Sequence, residues 1–348
     1  MLTFWGCRDE RHGPVMSEVV TLTPKGLYCP AGDFHIDPWK PVERALITHA
    51  HADHARPGSA QYHAAKSGVG LLKQRLGQNT TIQAHDFAHK VQLGDAVASF
   101  HPAGHVLGSA QIRIEVDGEV WVISGDYKCD EDPSCETFEP VPCDTFVTEA
   151  TFALPIYRWD VIDEVMDQLM RWWAANTAAG RTSVVFCYAL GKAQRLLAEI
   201  KRRTARAIFV HGAIDALLPA YRDAGIALPE TVPVLDQPKE KSFAGELVIA
   251  PPSAFGSPWM QRLGDCGTAF ASGWMRVRGH RRRRGFDEGF VLSDHADWPG
   301  LLSAIEATGA KKVYATHGYS DTLARYLTEI GIPAEPLQTL FEGGGDDG

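Results

Sequence analysis

The sequence predicts an α/β fold with about two domains. Beyond Pro155, short apolar strands alternate with helical patterns, which is typical of βαβ units with parallel pairing. Before Pro155, two strands of alternating polarity are separated only by Asp117-Gly118, a strong signal for an antiparallel hairpin. The chain has 348 residues, which is long for a single average domain, so about two domains are expected.

The part before Pro155 contains a predicted helix and several short strands. The helix is bounded by Pro57-Gly58-Ser59 on one side and by Gly77-Gln78-Asn79 on the other, and both strings break regular structure. The strand that precedes Glu149 is short, apolar and buried in character. The predictions are a helix over residues 61–76 and strands over 112–116, 119–123 and 146–148.

The part after Pro155 reads as alternating helices and strands. Apolar residues recur with helical spacing in four segments, and short apolar runs of strand type lie between them. The helices are predicted over residues 161–175, 191–203, 298–308 and 322–330. The strands are predicted over 183–188, 207–210, 247–250 and 312–315.

The composition is that of an ordinary globular protein, with 45% hydrophobic and 22% charged residues. No apolar run approaches the roughly 20 residues that cross a bilayer. Residues 1–19 lack the apolar core of a secretory signal. We therefore expect a cytoplasmic protein with no membrane partner. The net charge of −9 argues against a protein that coats nucleic acid without specificity, although the local distribution of charge affects such binding more than the net charge does.

The chain has seven cysteines, an odd number, and no two of them form a Cys-x-x-Cys pair. A disulfide framework and a four-cysteine zinc site are therefore not expected. We expect reduced thiols without a catalytic role.

The string from Thr48 to His54 places three histidines and an aspartate within six positions, directly after an apolar strand-like run. Imidazole and carboxylate suit zinc, manganese or iron. His49 and His51 are two apart and point the same way in an extended segment, so they can hold one metal. Asp53 and His54 follow at the turn and can reach a second. Two ions about 3.5–4 Å apart suit hydrolysis of phosphate esters; the alternative is a surface loop that is rich in histidine.

Three more candidate ligands occur downstream, each with glycine close by. Asp126 and His317 end predicted strands, and His105 lies in the loop before one. Loops at strand ends are where α/β scaffolds place functional groups. Taken singly, such a residue is more often a cap or a surface group, so only the combination of all three indicates a ligand set.

In this order the residues resemble the motifs of the metallo-β-lactamase superfamily. The HxHxDH run at 49–54 is similar to its signature, and a lone histidine, an aspartate and a late histidine follow. The later part resembles the β-CASP branch, which acts on nucleic acids. Glu149 matches the acid of its motif A, although many members have aspartate there. His295 and His317 resemble the histidines of motifs B and C, and Asp37 resembles the early aspartate of motif 1.

The strings 188–194 and 272–274 resemble parts of the β-CASP insertion, and the segment 273–279 with the arginines after it looks most like bacterial DNA-ligase-associated exonucleases. The resemblance implies an αββα metallo-β-lactamase sandwich with an inserted α/β β-CASP domain. We expect the sandwich to comprise residues 1–154 and 274–348, and the inserted domain to comprise 155–273. The cleft between them would hold the nucleic-acid strand.

The resemblance also implies a ligand set for two divalent metal ions, zinc or manganese. One ion would be held by His49, His51 and His105, and the other by Asp53, His54 and His317. Asp126 would bridge the two ions, which would activate a hydroxide for attack on phosphorus. Asp37 would hold a ligand histidine through its other ring nitrogen; the alternative is an aspartate that forms a turn before Pro38.

A second group of residues is expected to assist the chemistry. His295 has no metal in this scheme and could stabilise charge or protonate the leaving oxygen. Glu149 could hold that imidazole and raise its pKa. The alternatives are a surface acid at a strand end for Glu149 and a polar residue at a helix start for His295. The predicted catalytic residues are Asp53, Asp126, Glu149 and His295.

Basic residues in two places could contact nucleic acid. Gly191-Lys192 opens a helix after a strand, where backbone amides attract phosphate, although a simple helix start gives the same pattern. The second place is a cationic cluster that could contact the nucleic-acid backbone or could simply be solvated. Its arginines are Arg276, Arg278, Arg281, Arg282, Arg283 and Arg284.

The favoured function is that of a metal-dependent phosphodiesterase, a 5′-to-3′ exonuclease that acts in DNA repair. The resemblance alone implies the direction, the preference for DNA that is single-stranded or has a 5′ end, and a link to a DNA ligase and a helicase. An RNA-processing nuclease of the same branch would have the same metal ligands and remains open. A hydrolase of small esters or thioesters is disfavoured by Glu149, His295 and the insertion. A scaffold without metals is disfavoured by the complete ligand set.

Overall fold

The computed structural model describes residues 19–277 and 285–339, which form three β-sheets with helices against them. The first sheet has six strands in chain order. Its first three strands pair in antiparallel fashion, and the rest run parallel from β3 to β6. The strands are β1 Thr21–Thr23, β2 Gly26–Cys29, β3 Phe34–Ile36, β4 Arg44–Leu46, β5 Gln61–Ala65 and β6 Ile82–His85.

The second sheet has seven strands in the order β19-β18-β11-β10-β9-β8-β7. They are β7 Val91–Leu93, β8 Ala96–Pro102, β9 Ala110–Val116, β10 Glu119–Ile123, β11 Thr145–Glu149, β18 Lys312–Thr316 and β19 Ala334–Pro336. Strands β9 and β10 form the hairpin that Asp117-Gly118 predicts, with both turn residues at positive φ. Strand β11 runs parallel to β18, with Glu149 opposite Thr316. The carboxyl ends of these two strands therefore lie side by side.

The first two sheets share one apolar core. Phe34 and Ile36 of the first sheet are fully buried in the same cluster as Phe100, Ile112 and Trp121 of the second. The opposite face of the second sheet is covered by helices α6 Trp298–Thr308 and α7 Ser320–Glu329, and the opposite face of the first by α1 Val69–Leu76. The two sheets thus give a rigid base from whose edge the loops at the strand ends project.

The third sheet is entirely parallel, as the alternation of strands and helices predicts, in the order β14-β13-β15-β12-β16-β17. Its strands are β12 Thr182–Phe186, β13 Ile208–Val210, β14 Thr231–Pro233, β15 Leu247–Ala250, β16 Cys266–Ala271 and β17 Glu288–Phe290. The accompanying helices are α2 Ile162–Ala178, α3 Lys192–Lys201, α4 Gly212–Asp215 and α5 Leu218–Asp223. Because β17 belongs to this sheet, the third-sheet unit extends past Gly273, where the sequence suggests that the insertion ends.

Short 3₁₀ helices fill several connections: Lys66–Gly68, Val234–Asp236, Pro252–Ala254, Pro258–Leu263 and Gly273–Arg276. One of them adjoins the segment where the prediction is wrong. Residues 61–76 are not one helix, because 61–65 form strand β5 between β4 and β6. Tyr62, Ala64 and Ala65 are buried there, so burial between two strands overrides a local pattern that suits a helix.

The six cysteines in the described ranges are free thiols, as the sequence predicts. Within those same ranges, no helix combines the length and the apolar character needed to cross a membrane.

Candidate metal centre

Loops from all parts of the chain meet at one edge of the first two sheets. The histidine-rich loop follows β4, His105 follows β8, Asp126 follows β10 and His317 follows β18. Their ligand atoms fall into two groups, and within each group all the atoms lie within 4.8 Å of one another. The first group is His49, His51, His105 and Asp126, and the second is Asp53, His54 and His317.

The first group has the spacing of a ligand shell. Nδ1 of His51 lies 3.1 Å from Nε2 of His49 and 3.0 Å from Nε2 of His105. Oδ2 of Asp126 lies 3.7 Å from Nε2 of His49 and 3.8 Å from Nε2 of His105. Bonds of about 2.0–2.1 Å to a tetrahedral zinc would put neighbouring ligand atoms about 3.3 Å apart. The four atoms therefore fit one cation.

The second group adjoins the first through Asp126. Nε2 of His54 lies 3.6 Å from Oδ2 of Asp53 and 3.7 Å from Oδ1 of Asp126. The rings of His54 and His317 stack at 5.3 Å between centroids. The two oxygens of Asp126 thus face different groups, and Oδ1 is buried without a hydrogen-bond donor. A buried carboxylate oxygen requires a partner, and a cation in the second group would supply it.

The electrostatics of the site also favour cations. Burial lowers the pKa of His49 and of His105 well below the usual range, which keeps both imidazoles neutral and able to bind metal. Burial raises the pKa of Asp126 to about 7, because a buried carboxylate without enough positive charge resists ionisation. Burial lowers the pKa of His54, but Asp53, Asp126 and Asp37 outweigh it and raise that pKa to about 10. The donor set therefore fits two divalent cations.

Asp37 sits behind the second group in the left-handed conformation, with a φ of 41°. Its carboxylate accepts hydrogen bonds from the backbone N of Thr48 at 2.8 Å and from Oγ1 of Thr48 at 2.6 Å. It also accepts one from Nδ1 of His54 at 2.8 Å. Because Nδ1 then carries the proton, Nε2 of His54 is the nitrogen that faces Asp53 and Asp126. This contact is the one that the sequence predicts for Asp37.

Close approach of two loops sets the position of His317. Its backbone has a φ of 63°, and Gly318 follows at a φ of 45°. A side chain at Gly318 would come within 2.5 Å of the carbonyl oxygen of Ala150, which directly follows β11. Only glycine lets the two strand ends lie this close, so the glycine next to His317 brings the imidazole to His54.

Glu149 and His295 form a buried pair beside the first group. Nδ1 of His295 donates to Oε2 of Glu149 at 2.9 Å, and Glu149 also accepts from the backbone N of Tyr127 at 2.8 Å. Burial lowers the pKa of His295, but the Glu149 carboxylate outweighs it and raises that pKa to about 9. The rings of His295 and His105 lie 4.5 Å apart. His295 also belongs to two further sets of ligand-type atoms, one with His105 and Asp294 and one with Asp126 and Glu149.

Where the structure describes them, the basic residues that the sequence singles out contact carboxylates of the protein itself. Lys192 is only 4% exposed, and its Nζ lies 2.5 Å from Oδ1 of Asp294. The anion next to this lysine is thus the protein's own carboxylate, and the phosphate contact stays a prediction. Arg276 is partly exposed and pairs with Asp160 at 2.7 Å. The rest of the predicted cluster, Arg278, Arg281, Arg282, Arg283 and Arg284, lies outside the described residues.

Sequence reasoning missed several residues that surround the centre. Thr48, in the histidine-rich loop, donates to Asp37 through both its backbone N and its Oγ1. Asp294 pairs with Lys192, and Arg195 donates to the carbonyl oxygen of Ser293; both contacts hold the loop that carries His295. Nε1 of Trp159 donates to the carbonyl oxygen of His295 at 2.8 Å. Asp294 could have been found from its position directly before His295, because a second carboxylate beside a functional histidine needs a partner of its own.

Known proteins resemble the chain in sequence and in fold. A probable DNA ligase of Opitutus terrae is 30% identical over 315 residues, which are 89% of this chain and 30% of that protein. Endoribonuclease YSH1 of Gibberella zeae and endoribonuclease ysh-1 of Neurospora crassa are each 28% identical, over 47% and 44% of this chain and 19% of theirs. The chain therefore spans less than a third of the length of these relatives.

A crystal structure of a protein of unknown function from Enterococcus faecalis superposes with a TM-score of 0.58 at 13% identity, covering 86% of this chain and 80% of that one. The two proteins therefore share a fold. No model of a known protein family matches the chain. The relatives and the motifs together relate the chain to the β-CASP branch of the metallo-β-lactamase superfamily, as the sequence predicts. The similarity to the probable DNA ligase extends over most of the chain.

Proposed function

We propose that the protein is a metal-dependent nuclease, a 5′-to-3′ DNA exonuclease of DNA repair that works with a DNA ligase. The observation that carries the proposal is the Asp126 carboxylate, whose two oxygens face two separate groups of ligand atoms. A pair of ions in that arrangement suits phosphodiester hydrolysis better than the chemistry of a single ion. The named relatives, a probable DNA ligase and two endoribonucleases, support a nucleic-acid substrate.

We further propose that the first two sheets and their helices form the αββα metallo-β-lactamase sandwich and that the third-sheet unit is the inserted β-CASP domain. The shared core of the two sheets supports this assignment. The pairing of β17 with β16 supports an insertion that extends to Phe290, beyond the expected end at Gly273, and its start after Leu154 stays a prediction.

In the proposed centre, His49, His51 and His105 would hold one divalent ion, Asp53, His54 and His317 would hold the other, and Asp126 would contact both. Zinc or manganese suits this donor set, and such ions supply an activated water and stabilise charge on the phosphate oxygens. Asp37 keeps Nε2 of His54 turned toward the ion. Glu149 holds Nδ1 of His295, so that Nε2 can give a proton to the leaving oxygen.

DNA is favoured over RNA because a relative that matches 89% of this chain is named as a probable DNA ligase. The same similarity supports a role beside a ligase in repair, and a link to a helicase rests only on the resemblance to ligase-associated exonucleases. The second candidate is an RNA-cleaving enzyme, and the two endoribonucleases favour it over about half of the chain. The metal ligands would be the same in both cases.

A groove beside the first ligand group offers a path for the strand. It has a volume of about 590 Å³ and runs between α1 and the α4 segment. Ala50 and Leu190 line it where it meets His51, whose Nε2 lies 3.4 Å from the Leu190 carbonyl oxygen. Among the described residues that line it, the polar side chains are Arg75, Gln74 and Gln78, and none of them is a carboxylate. Nε of Arg75 donates to the Ala50 carbonyl oxygen at 3.2 Å, which fixes the guanidinium beside the ligand loop.

We expect Arg75→Gln to weaken binding of single-stranded DNA at all sequences and to reduce the slope of log affinity against log salt by about one, as loss of one phosphate contact does. The measurement is fluorescence anisotropy of a labelled oligonucleotide at several salt concentrations, with EDTA present so that the strand is not cut. Arg325→Gln is the matched control, because Arg325 is 82% exposed on α7, outside the groove. Equal salt slopes for the two variants would place the strand elsewhere.

The test of the function is a digest of end-labelled single-stranded DNA and of RNA with the same sequence, with zinc or manganese added. We expect mononucleotides from the 5′ end of the DNA and none from protein treated with EDTA. Cleavage of RNA with intact DNA would favour the second candidate and leave the metal centre standing. Protein that binds two ions and cleaves neither polymer would argue against a nuclease.

A further inference from the structure

Helix α3 lies between the third sheet and two loops of the metal centre. Ala193, Leu196, Leu197 and Ile200 face the core of the third-sheet unit. The opposite face carries Lys192 and Arg195, which are 4% and 5% exposed. Long cations are rarely buried without a partner. These two cations point away from their own core and toward the loops that carry the candidate ligands.

Lys192 reaches the loop that carries His295. Its Nζ lies 2.5 Å from Oδ1 of Asp294, a side chain that is 1% exposed. The ammonium also lies over the ring of Tyr188, 4.6 Å from its centroid. A side chain at Gly191 would come within 2.7 Å of Oδ2 of Asp294, so glycine is required for the helix start to approach this carboxylate. The contact joins residues 102 positions apart.

Arg195 follows one turn later and contacts both loops. Its Nη1 donates to the carbonyl oxygen of Ser293, directly before Asp294. Its Nε lies 3.4 Å from Oδ2 of Asp132, in the loop that follows Asp126. Asp132 is itself fixed, since its Oδ1 accepts from N and Oγ of Ser134 at 2.8 and 2.6 Å. One helix of the third-sheet unit therefore holds the loops on both sides of the centre.

The loop held by Lys192 and Arg195 also fixes a ligand. The carbonyl oxygen of Asp294 accepts a hydrogen bond from Nδ1 of His105 at 2.8 Å. Because Nδ1 is the donor, Nε2 of His105 is the unprotonated nitrogen, and it is this atom that faces His51 and Asp126. In the same loop, the backbone N of His295 donates to Oγ of Ser293 at 3.1 Å. The position of the 293–295 loop thus sets both imidazoles.

We propose that Lys192 and Arg195 are positioning residues of the metal centre, which hold His105 in its metal-binding orientation through the 293–295 loop. The proposal rests on the proposed function, since it assumes that His105 binds metal. Under this proposal, the third-sheet unit helps to position a metal ligand and also forms one side of the cleft. Partners that hold a ligand histidine typically account for about 10–100-fold in metal affinity. The packing of the unit against the sandwich is thereby coupled to metal affinity.

The test compares zinc affinity, measured by competition with a chromophoric chelator, in wild-type protein and in Lys192→Met. We expect zinc to bind Lys192→Met about 10–100-fold more weakly. Lys201→Met is the matched control, because Lys201 is exposed at the end of the same helix, and its affinity should equal that of the wild type. A second readout is the ring-nitrogen spectrum of ¹⁵N-histidine in chelated protein. Loss of the single tautomer at His105 is expected in Lys192→Met and not in the control Lys201→Met.

Lys192→Met leaves Asp294 buried without its partner, which can prevent folding. The double variant Lys192→Met/Asp294→Asn removes both charges and keeps the backbone carbonyl, so it serves as the folded test protein. Weaker zinc binding and a mixed His105 tautomer in the double variant support the proposal. Wild-type affinity and a single tautomer in either folded variant would overturn it. If wild-type protein binds neither zinc nor manganese, the proposed function fails, and the tautomer of His105 in chelated protein still decides whether Lys192 orients it.

Discussion

Asp126→Asn is expected to abolish hydrolysis and to reduce the bound metal below two ions per chain. The amide keeps the size of the side chain but removes the negative charge that lies between two groups of ligand atoms, so repulsion between two cations is no longer offset. We expect at least about a 1,000-fold loss of rate, which corresponds to about 4 kcal/mol of transition-state stabilisation. Elemental analysis after dialysis and the rate on end-labelled DNA measure the two effects.

The matched control for this variant is Asp117→Asn at the other end of β10. Asp117 is exposed in the β9–β10 turn at a φ of 50°, a conformation that asparagine also adopts. It should keep two ions and the wild-type rate. An Asp126→Asn protein with two ions and full activity would end the idea of a bridging carboxylate.

His295→Ala is expected to keep two metal ions and to lose about 10²–10⁴-fold in rate, the usual contribution of a positioned general acid. The expectation follows from the pairing of Nδ1 with Glu149, which leaves the other ring nitrogen for the substrate. Because His295 also lies among ligand-type atoms, metal content decides between the two roles. His89→Ala, at an exposed histidine, is the control for loss of an imidazole.

The rate and the metal content are both needed to interpret His295→Ala. Loss of one ion together with the rate would make His295 a ligand. Two ions with an unchanged rate would leave the residue without a catalytic role. Glu149→Gln gives an independent check, since the amide cannot stabilise a protonated imidazole in the same way, and we expect it to reduce the rate and keep both ions.

The histidine-rich loop was the easiest part of the candidate site to recognise, because its residues are adjacent in sequence and their spacing alone restricts where the side chains point. Strand β10 and the Asp117-Gly118 turn were also predictable from local signals. The three-residue strands β1 and β3 were not, since such short segments show no period and exist only through their neighbours. Strand β5 was predicted as helix because its burial between β4 and β6 depends on the whole sheet.

Lys192 marks the limit of sequence reasoning at the site. A glycine and a lysine at a helix start look the same whether the anion is a phosphate or a carboxylate of the protein. The carboxylate here is Asp294, 102 positions away, and only the folded chain identifies it. In contrast, the Glu149–His295 pair joins residues 146 positions apart and was expected, because a family motif links the two.

Strands β11 and β18 are hydrogen-bonded neighbours in one sheet, although the whole third-sheet unit lies between them in the chain. That unit is therefore a loop in the topological sense, and a protein engineer could shorten or exchange it without changing which strands are adjacent. The exchange is not free of consequence, however. A replacement without cations at the positions of Lys192 and Arg195 would remove two of the contacts that hold the 293–295 loop, so any graft between these strands needs equivalent contacts.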